Sequence, residues 1–102
     1  MGSDIRITGP VLKLLRVFIE NPTEEFAGAA ISKQTNLASG TLYPILRRLE
    51  DAKCLESRWE EIDPQEAGRP RRRLYSITGV GSRCYQRAIA DAFGTSKVPA
   101  WG

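Results

Sequence analysis

Two short stretches hold the residues best suited to chemistry. The first is Ala38-Ser39-Gly40-Thr41-Leu42-Tyr43-Pro44-Ile45-Leu46-Arg47-Arg48-Leu49-Glu50, with paired arginines and an early proline. The second is Gly68-Arg69-Pro70-Arg71-Arg72-Arg73, which places four arginines in five residues. An arginine can donate two hydrogen bonds to guanine O6 and N7, or hold a phosphate. Recognition of an anionic partner is therefore open to both stretches. Each also has a plainer reading. The first could be a surface helix with solvated arginines, the second a solvated charge run or a sheet edge protected by charge. Catalysis has little to work with. The chain contains no histidine, so imidazole acid–base and metal chemistry is unavailable. No acid pair sits at a suggestive spacing and no phosphate-cradling glycine loop is present. No enzyme activity, metal or cofactor is expected.

The totals allow a folded domain to carry these stretches. The 102 residues suit one domain, with 41% hydrophobic and 26% charged residues. A domain of this size buries only part of its surface, so a dimer interface would supplement its core. The net charge of +3 is modest, so charge distribution rather than total must select the partner. No run approaches the roughly 20 apolar residues that cross a bilayer. The start, Met1-Gly2-Ser3-Asp4, has neither the basic nor the apolar part of a secretory signal. The expected compartment is the cytoplasm, with no membrane partner. Cys54 and Cys84 lack CxxC spacing and read as two reduced, partly buried thiols, a disulfide or redox sensor being the alternative.

Periodicity supplies the elements. After a short arm with Ile5 and Ile7, Thr8 can cap a helix and Pro10 suits its first turn. Val11, Leu14, Leu15 and Phe18 then recur at helical spacing, and Leu12, Val17 and Ile19 widen the stripe. So apolar a helix is either central or shared between subunits. It should span about 9–20, ending at Asn21-Pro22. A second helix, opened by Thr23-Glu24-Glu25 with acids in the first turn, is expected over about 26–35, and Gly28 with its alanines permits close approach of another helix. A turn at Asn36-Leu37-Ala38 leads into a third helix over about 39–52. At 100° per residue, Leu42, Ile45, Leu46 and Leu49 share one face. Gly40, Tyr43, Pro44 and Arg47 fall opposite, with Thr41 and Arg48 on a flank. Pro44 is read as a first-turn proline of limited cost. A short helix, tight turn and second helix form the helix-turn-helix pattern.

Residues 55–77 read as an antiparallel hairpin around an Asp63–Pro70 loop, with Leu55 and Trp59 on one face. Arg73 could sit in the returning strand and pair with a strand acid. Thr78 is a plausible cap for a last helix over about 80–93, whose stripe includes Val80, Cys84, Tyr85, Ala88, Ile89, Ala92 and Phe93. A tail with Val98 and Trp101 follows. The fold class is mainly α with a β-hairpin wing: a single winged helix-turn-helix over 1–102, with one C-terminal dimerisation helix. The hairpin changes the reading of both arginine stretches, since a basic tip beside a recognition helix suits phosphate or minor-groove contact.

Ser39-Gly40-Thr41-Leu42-Tyr43-Pro44, with Leu46, Arg48-Leu49-Glu50 and Leu55, resembles the recognition-helix block of PadR-type transcriptional regulators. Gly68-Arg69-Pro70-Arg71, then Tyr75, Ile77-Thr78 and Gly81, resembles the wing of that family and its exit. The resemblance covers about Phe26 to Gly81. It implies a homodimeric repressor on a roughly palindromic operator, often responsive to a small molecule. The short C-terminal region is similar to that of the small subgroup. Double-stranded DNA is the implied partner. Thr41, Tyr43, Pro44 and Arg47 would then face bases or the groove wall. Ser39, Arg48 and Lys33 would position phosphates, and Arg69, Arg71 and Arg72 would hold the wing on the backbone or in the minor groove. Dimerisation would use Leu12, Tyr85, Ala88, Ile89, Ala92 and Phe93. Trp101, Phe93, Tyr85 and Phe18 could line an effector pocket, although ordinary dimer core is the stronger explanation for the last three. A winged-helix module that binds proteins and never DNA is the competing function.

Overall fold

The computed structural model describes residues 8–93. The expectations for Ile5, Ile7, Val98 and Trp101 lie outside the described residues. Four helices of two turns or more are present among the described residues: α1 (Gly9–Glu20), α2 (Gly28–Thr35), α3 (Ser39–Asp51) and α5 (Gly79–Phe93). Strands β1 (Phe26–Ala27), β2 (Leu55–Trp59) and β3 (Arg73–Ile77) form one antiparallel sheet in the order β1-β3-β2, and the single turn α4 (Pro64–Ala67) lies in the wing. This is a mainly helical winged helix-turn-helix.

The stripe of α1 explains its place. Val11, Leu14, Leu15, Val17 and Phe18 are all buried. Thr8 takes the extended cap conformation, but its carbonyl rather than its hydroxyl closes the turn, accepting from Leu12 N–H at 2.9 Å. The expected side-chain cap is absent. Asn21 ends the helix by donating its side-chain amide to the Val17 carbonyl at 3.0 Å.

Phe26 and Ala27 depart from expectation. The sequence pattern puts them in the second helix, whereas the chain forms strand β1 there, paired with Tyr75 and Leu74. Two physical gains favour the extended backbone. The β3 edge finds hydrogen-bond partners, and the Phe26 ring reaches Phe18 edge-on, with centroids 5.5 Å apart at 82°. The hairpin thus becomes a three-stranded sheet. Glu25 is accordingly not a first-turn helix acid. Its carboxylate accepts two bonds from Arg58 of β2, at 2.6 and 2.7 Å, which hold it below its usual pKa.

The α2–α3 turn closes on its own side chains. Asn36 adopts the left-handed conformation (φ 63°), which Asn tolerates better than most residues. The Ser32 hydroxyl donates to the Leu37 carbonyl at 2.6 Å. Buried Thr35 donates to the Ile31 carbonyl at 2.7 Å and accepts from Leu37 N–H. At the other end of α3, Cys54 N–H returns to the Leu49 carbonyl and Lys53 N–H to that of Glu50. This pairing is a Schellman stop with Lys53 left-handed at φ 68°, where glycine is usual.

One core joins the layers: Leu14, Leu15 and Phe18 of α1, Ile31 of α2, Leu42, Leu46 and Leu49 of α3, then Cys54, Leu55 and Tyr75. Tyr85 of α5 packs against its edge. The expected cap of α5 is real, since Thr78 Oγ1 accepts from Gly81 N–H at 3.1 Å. The same hydroxyl donates to the Lys53 carbonyl at 2.6 Å, anchoring α5 to the end of α3.

Candidate nucleic-acid interface

Burial of Leu42, Ile45, Leu46 and Leu49 fixes the rotation of α3. The opposite face is then exposed by necessity: Ser39, Gly40, Thr41, Tyr43, Pro44, Arg47 and Arg48 all reach solvent. Lys33, in the last turn of α2, is exposed too. Pro44 is the sixth residue of α3, so it lies in the second turn and not the first. It has no N–H to give to the Gly40 carbonyl, and the exposure of Gly40 leaves that oxygen to water.

Tyr43 is 47% exposed yet held in place. Its ring lies against the backbone of Gly28, where an added Cβ would collide with the phenol. The close approach expected of Gly28 is thus made by one side chain of α3. Tyr43, Arg47, Glu50, Arg73 and Tyr75 line a shallow depression between α3 and the sheet. Burial, followed by the neighbouring Glu50 carboxylate, raises the pKa of Tyr75.

Arg73 is inside β3, but the acid it meets is on a helix. Its NH2 lies 3.5 Å from Glu50 Oε2, and its Nε donates to Ser57 Oγ at 2.9 Å. Ser57 Oγ in turn donates to Glu50 at 2.6 Å. The Arg73 guanidinium also covers the Trp59 ring, 5.1 Å from the centroid. Trp59 is 55% exposed and borders a groove with Glu60, Ile62 and Arg71. A continuous surface therefore runs from Tyr43 and Arg47, past Arg73 and Trp59, to Arg71.

The wing arginines do not share one environment. Arg69, expected to face phosphate, is ion-paired within the wing: NH1 and NH2 donate to the Glu60 carboxylate at 2.7 and 3.1 Å. Glu60 also accepts from Arg72 N–H at 2.9 Å. Led by the Arg69 bonds, these contacts hold the Glu60 carboxyl at about 2. Arg71 donates Nε to the Ile62 carbonyl at 3.0 Å and is otherwise exposed. Arg72 is exposed, with no side-chain hydrogen bond or ion pair among the described residues. The loop is stiffened by α4, which Asp63 caps by accepting from Gln65 N–H at 3.0 Å.

On the two terminal helices, Leu12 of α1 and Tyr85, Ala88 and Ile89 of α5 are half-buried in the single chain. Ala92 and Phe93 fall at the end of α5, and their side chains lie outside the described residues. Phe18 is fully buried in the chain's own core. No helix among the described residues is long and apolar enough to cross a membrane.

Residues 24–87, more than half of the chain and including α3 and the whole wing, match the family model described as "Transcriptional regulator PadR-like family". The chain belongs to the PadR-like family. Solved structures agree. A PadR family transcriptional regulator from Eggerthella lenta DSM 2243 is 26% identical, with a TM-score of 0.64 over 78% of this chain and 70% of that one. A possible transcriptional regulator from Methanosarcina mazei Go1 is 19% identical, with a TM-score of 0.63 over 86% and 71%. The fold is also shared with a mutant of S. aureus MepR bound to an oligodeoxyribonucleotide, 18% identical with a TM-score of 0.68 over 94% and 67%. No curated protein matches the chain. In this PadR-like chain the matched region holds both arginine stretches, with Arg47, Arg48, Arg71 and Arg72 exposed. Glu60, Ser57 and Trp59 have no assigned role in the sequence pattern. Aligning the hairpin would reveal Glu60, because Glu60 N–H donates to the Arg72 carbonyl and so places its side chain beside the arginine run.

Proposed function

We propose that the chain is a homodimeric, sequence-specific DNA-binding repressor that recognises a roughly palindromic operator. The supporting observation is the continuous exposed surface from Tyr43 and Arg47 through Arg73 and Trp59 to Arg71. Thr41, Tyr43, Pro44 and Arg47 would enter the major groove, where small and aromatic groups touch thymine methyls and Arg47 reads guanine. Ser39, Lys33 and Arg48 would contact the phosphates flanking that groove. In the wing, Arg71 and Arg72 would grip the backbone or the adjacent minor groove. Arg69 takes a different part in this proposal: it fixes the wing through Glu60 and so presents the other two. Two copies joined through α1 and α5 would set their recognition helices ~34 Å apart, one turn of DNA.

The test is selection of bound fragments from sheared genomic DNA with the purified protein. Enrichment of a shared inverted repeat, with binding that weakens steeply as salt rises, is the expected result. Absence of enrichment, together with an Arg71→Glu variant of full biological activity, would replace the proposal with a protein-binding winged helix.

A further inference from the structure

Cys54 and Cys84 are both free thiols, and their Sγ atoms lie 3.7 Å apart. Cys54 is where α3 passes into β2 and is fully buried, whereas Cys84 is on α5 and half-buried. A disulfide bond is about 2 Å long, so closure asks for a sulfur displacement of less than about 2 Å. We propose that the pair is an oxidation site, which a hydroperoxide converts to an intrachain disulfide joining α5 to the α3–β2 corner.

The backbone around the pair is already held together by contacts on both sides. Thr78 N–H donates to the Cys54 carbonyl at 3.0 Å. Gly81 lies directly against that carbonyl, where an added Cβ would collide with it. α5 can approach Cys54 this closely because position 81 has no side chain. The two sulfurs therefore meet at a junction that is fixed before any oxidation, with less than about 2 Å left to close.

Their unequal burial divides the chemistry. In the single chain Cys84 is the more exposed of the two, so its sulfur meets the oxidant first. As the thiolate it attacks one peroxide oxygen, the O–O bond breaks, and the departing alkoxide takes a proton to leave as an alcohol. Cys84 becomes a sulfenic acid. The Cys54 sulfur then attacks the Cys84 sulfur. The S–S bond forms, the S–O bond breaks, and the hydroxide leaves as water with the Cys54 proton. The two thiols give up two electrons and two protons, and the peroxide is reduced to an alcohol and water. Burial, then the contact with Cys84, pushes the Cys54 thiol up to about 12. It therefore stays protonated at neutral pH and serves as the resolving rather than the attacking sulfur.

The site stands apart from DNA binding, so it is tested without DNA. The full chain is treated with hydrogen peroxide, denatured, alkylated and weighed, then digested without reductant. The expected result is a loss of two hydrogens, no alkylation, and a linked peptide pair containing Cys54 and Cys84. Dithiothreitol should reverse all three, and the oxidised chain should melt ~5 °C or more higher. Cys84→Ser should abolish the change, and Cys54→Ala should stop at a sulfenic acid that a 1,3-diketone traps. Covalent dimers, oxygen adducts on the Cys54 or Cys84 peptide of the wild-type chain, or two alkylatable thiols after peroxide would overturn the proposal.

Discussion

At Glu60 one carboxylate accepts from both terminal nitrogens of Arg69 and from the Arg72 amide. Its folded pKa of about 2 lies below the ordinary 4.5, so the unfolded chain binds the proton more readily. The stabilisation is therefore complete above pH 4.5 and drains away as pH falls toward 2. Glu60→Gln should melt at lower temperature than the wild type at pH 7, with the gap closing below about pH 4.5. A gap that stays constant across the acid range would assign the effect to shape rather than charge. Arg47, exposed beside Tyr43, has the opposite character: its side chain makes no hydrogen bond or ion pair among the described residues. Arg47→Ala should leave the melting temperature unchanged, cost ~1–3 kcal/mol of operator binding and relax specificity at one base pair. Residues like Arg47 are legible from helical phase alone, because burial of four leucine and isoleucine positions dictates what faces out. Arg69 is not legible in this way. Its partner is nine residues back across a loop, and only the register of the hairpin shows that the two meet.

The same contrast holds among the elements. α1 and α3 can be read from their stripes because a 3.6-residue period survives in sequence whatever the helix packs on. β1 has two residues and no period to read, and its cause is Tyr75 and Leu74, some fifty positions away. α4 is likewise hidden in a loop whose composition of proline, acid and glycine suits turns equally well. The Schellman stop of α3 yields a prediction at this scale. Lys53 holds a left-handed conformation that costs a residue with a Cβ roughly 1–2 kcal/mol. Lys53→Gly relieves that cost while giving the unfolded chain more freedom, so a net gain of ~0.5–1 kcal/mol is expected in urea denaturation. A loss would mean that the Lys53 side chain contributes contacts the backbone argument ignores.

For the whole molecule, segment 56–73 holds five acids and five arginines and is formally neutral. Three of those arginines, Arg58, Arg69 and Arg73, are tied to carboxylates within the chain. Arg71→Glu should weaken binding to every DNA sequence alike and reduce the salt slope by about one, and Arg72→Glu should do the same. Salt titration of affinity for operator and random DNA measures both. The balance of charge also bears on the order of events when DNA arrives. A neutral wing projects almost no field beyond the ~8–10 Å over which salt screens it. An approaching duplex would be drawn instead by Lys33, Arg47 and Arg48, which stand exposed on α2 and α3, two helices that keep a net charge of +1 after Glu50 and Asp51 are counted. The wing would close only after the recognition helix has landed, so wing substitutions should shorten the lifetime of the complex while leaving its rate of formation almost untouched.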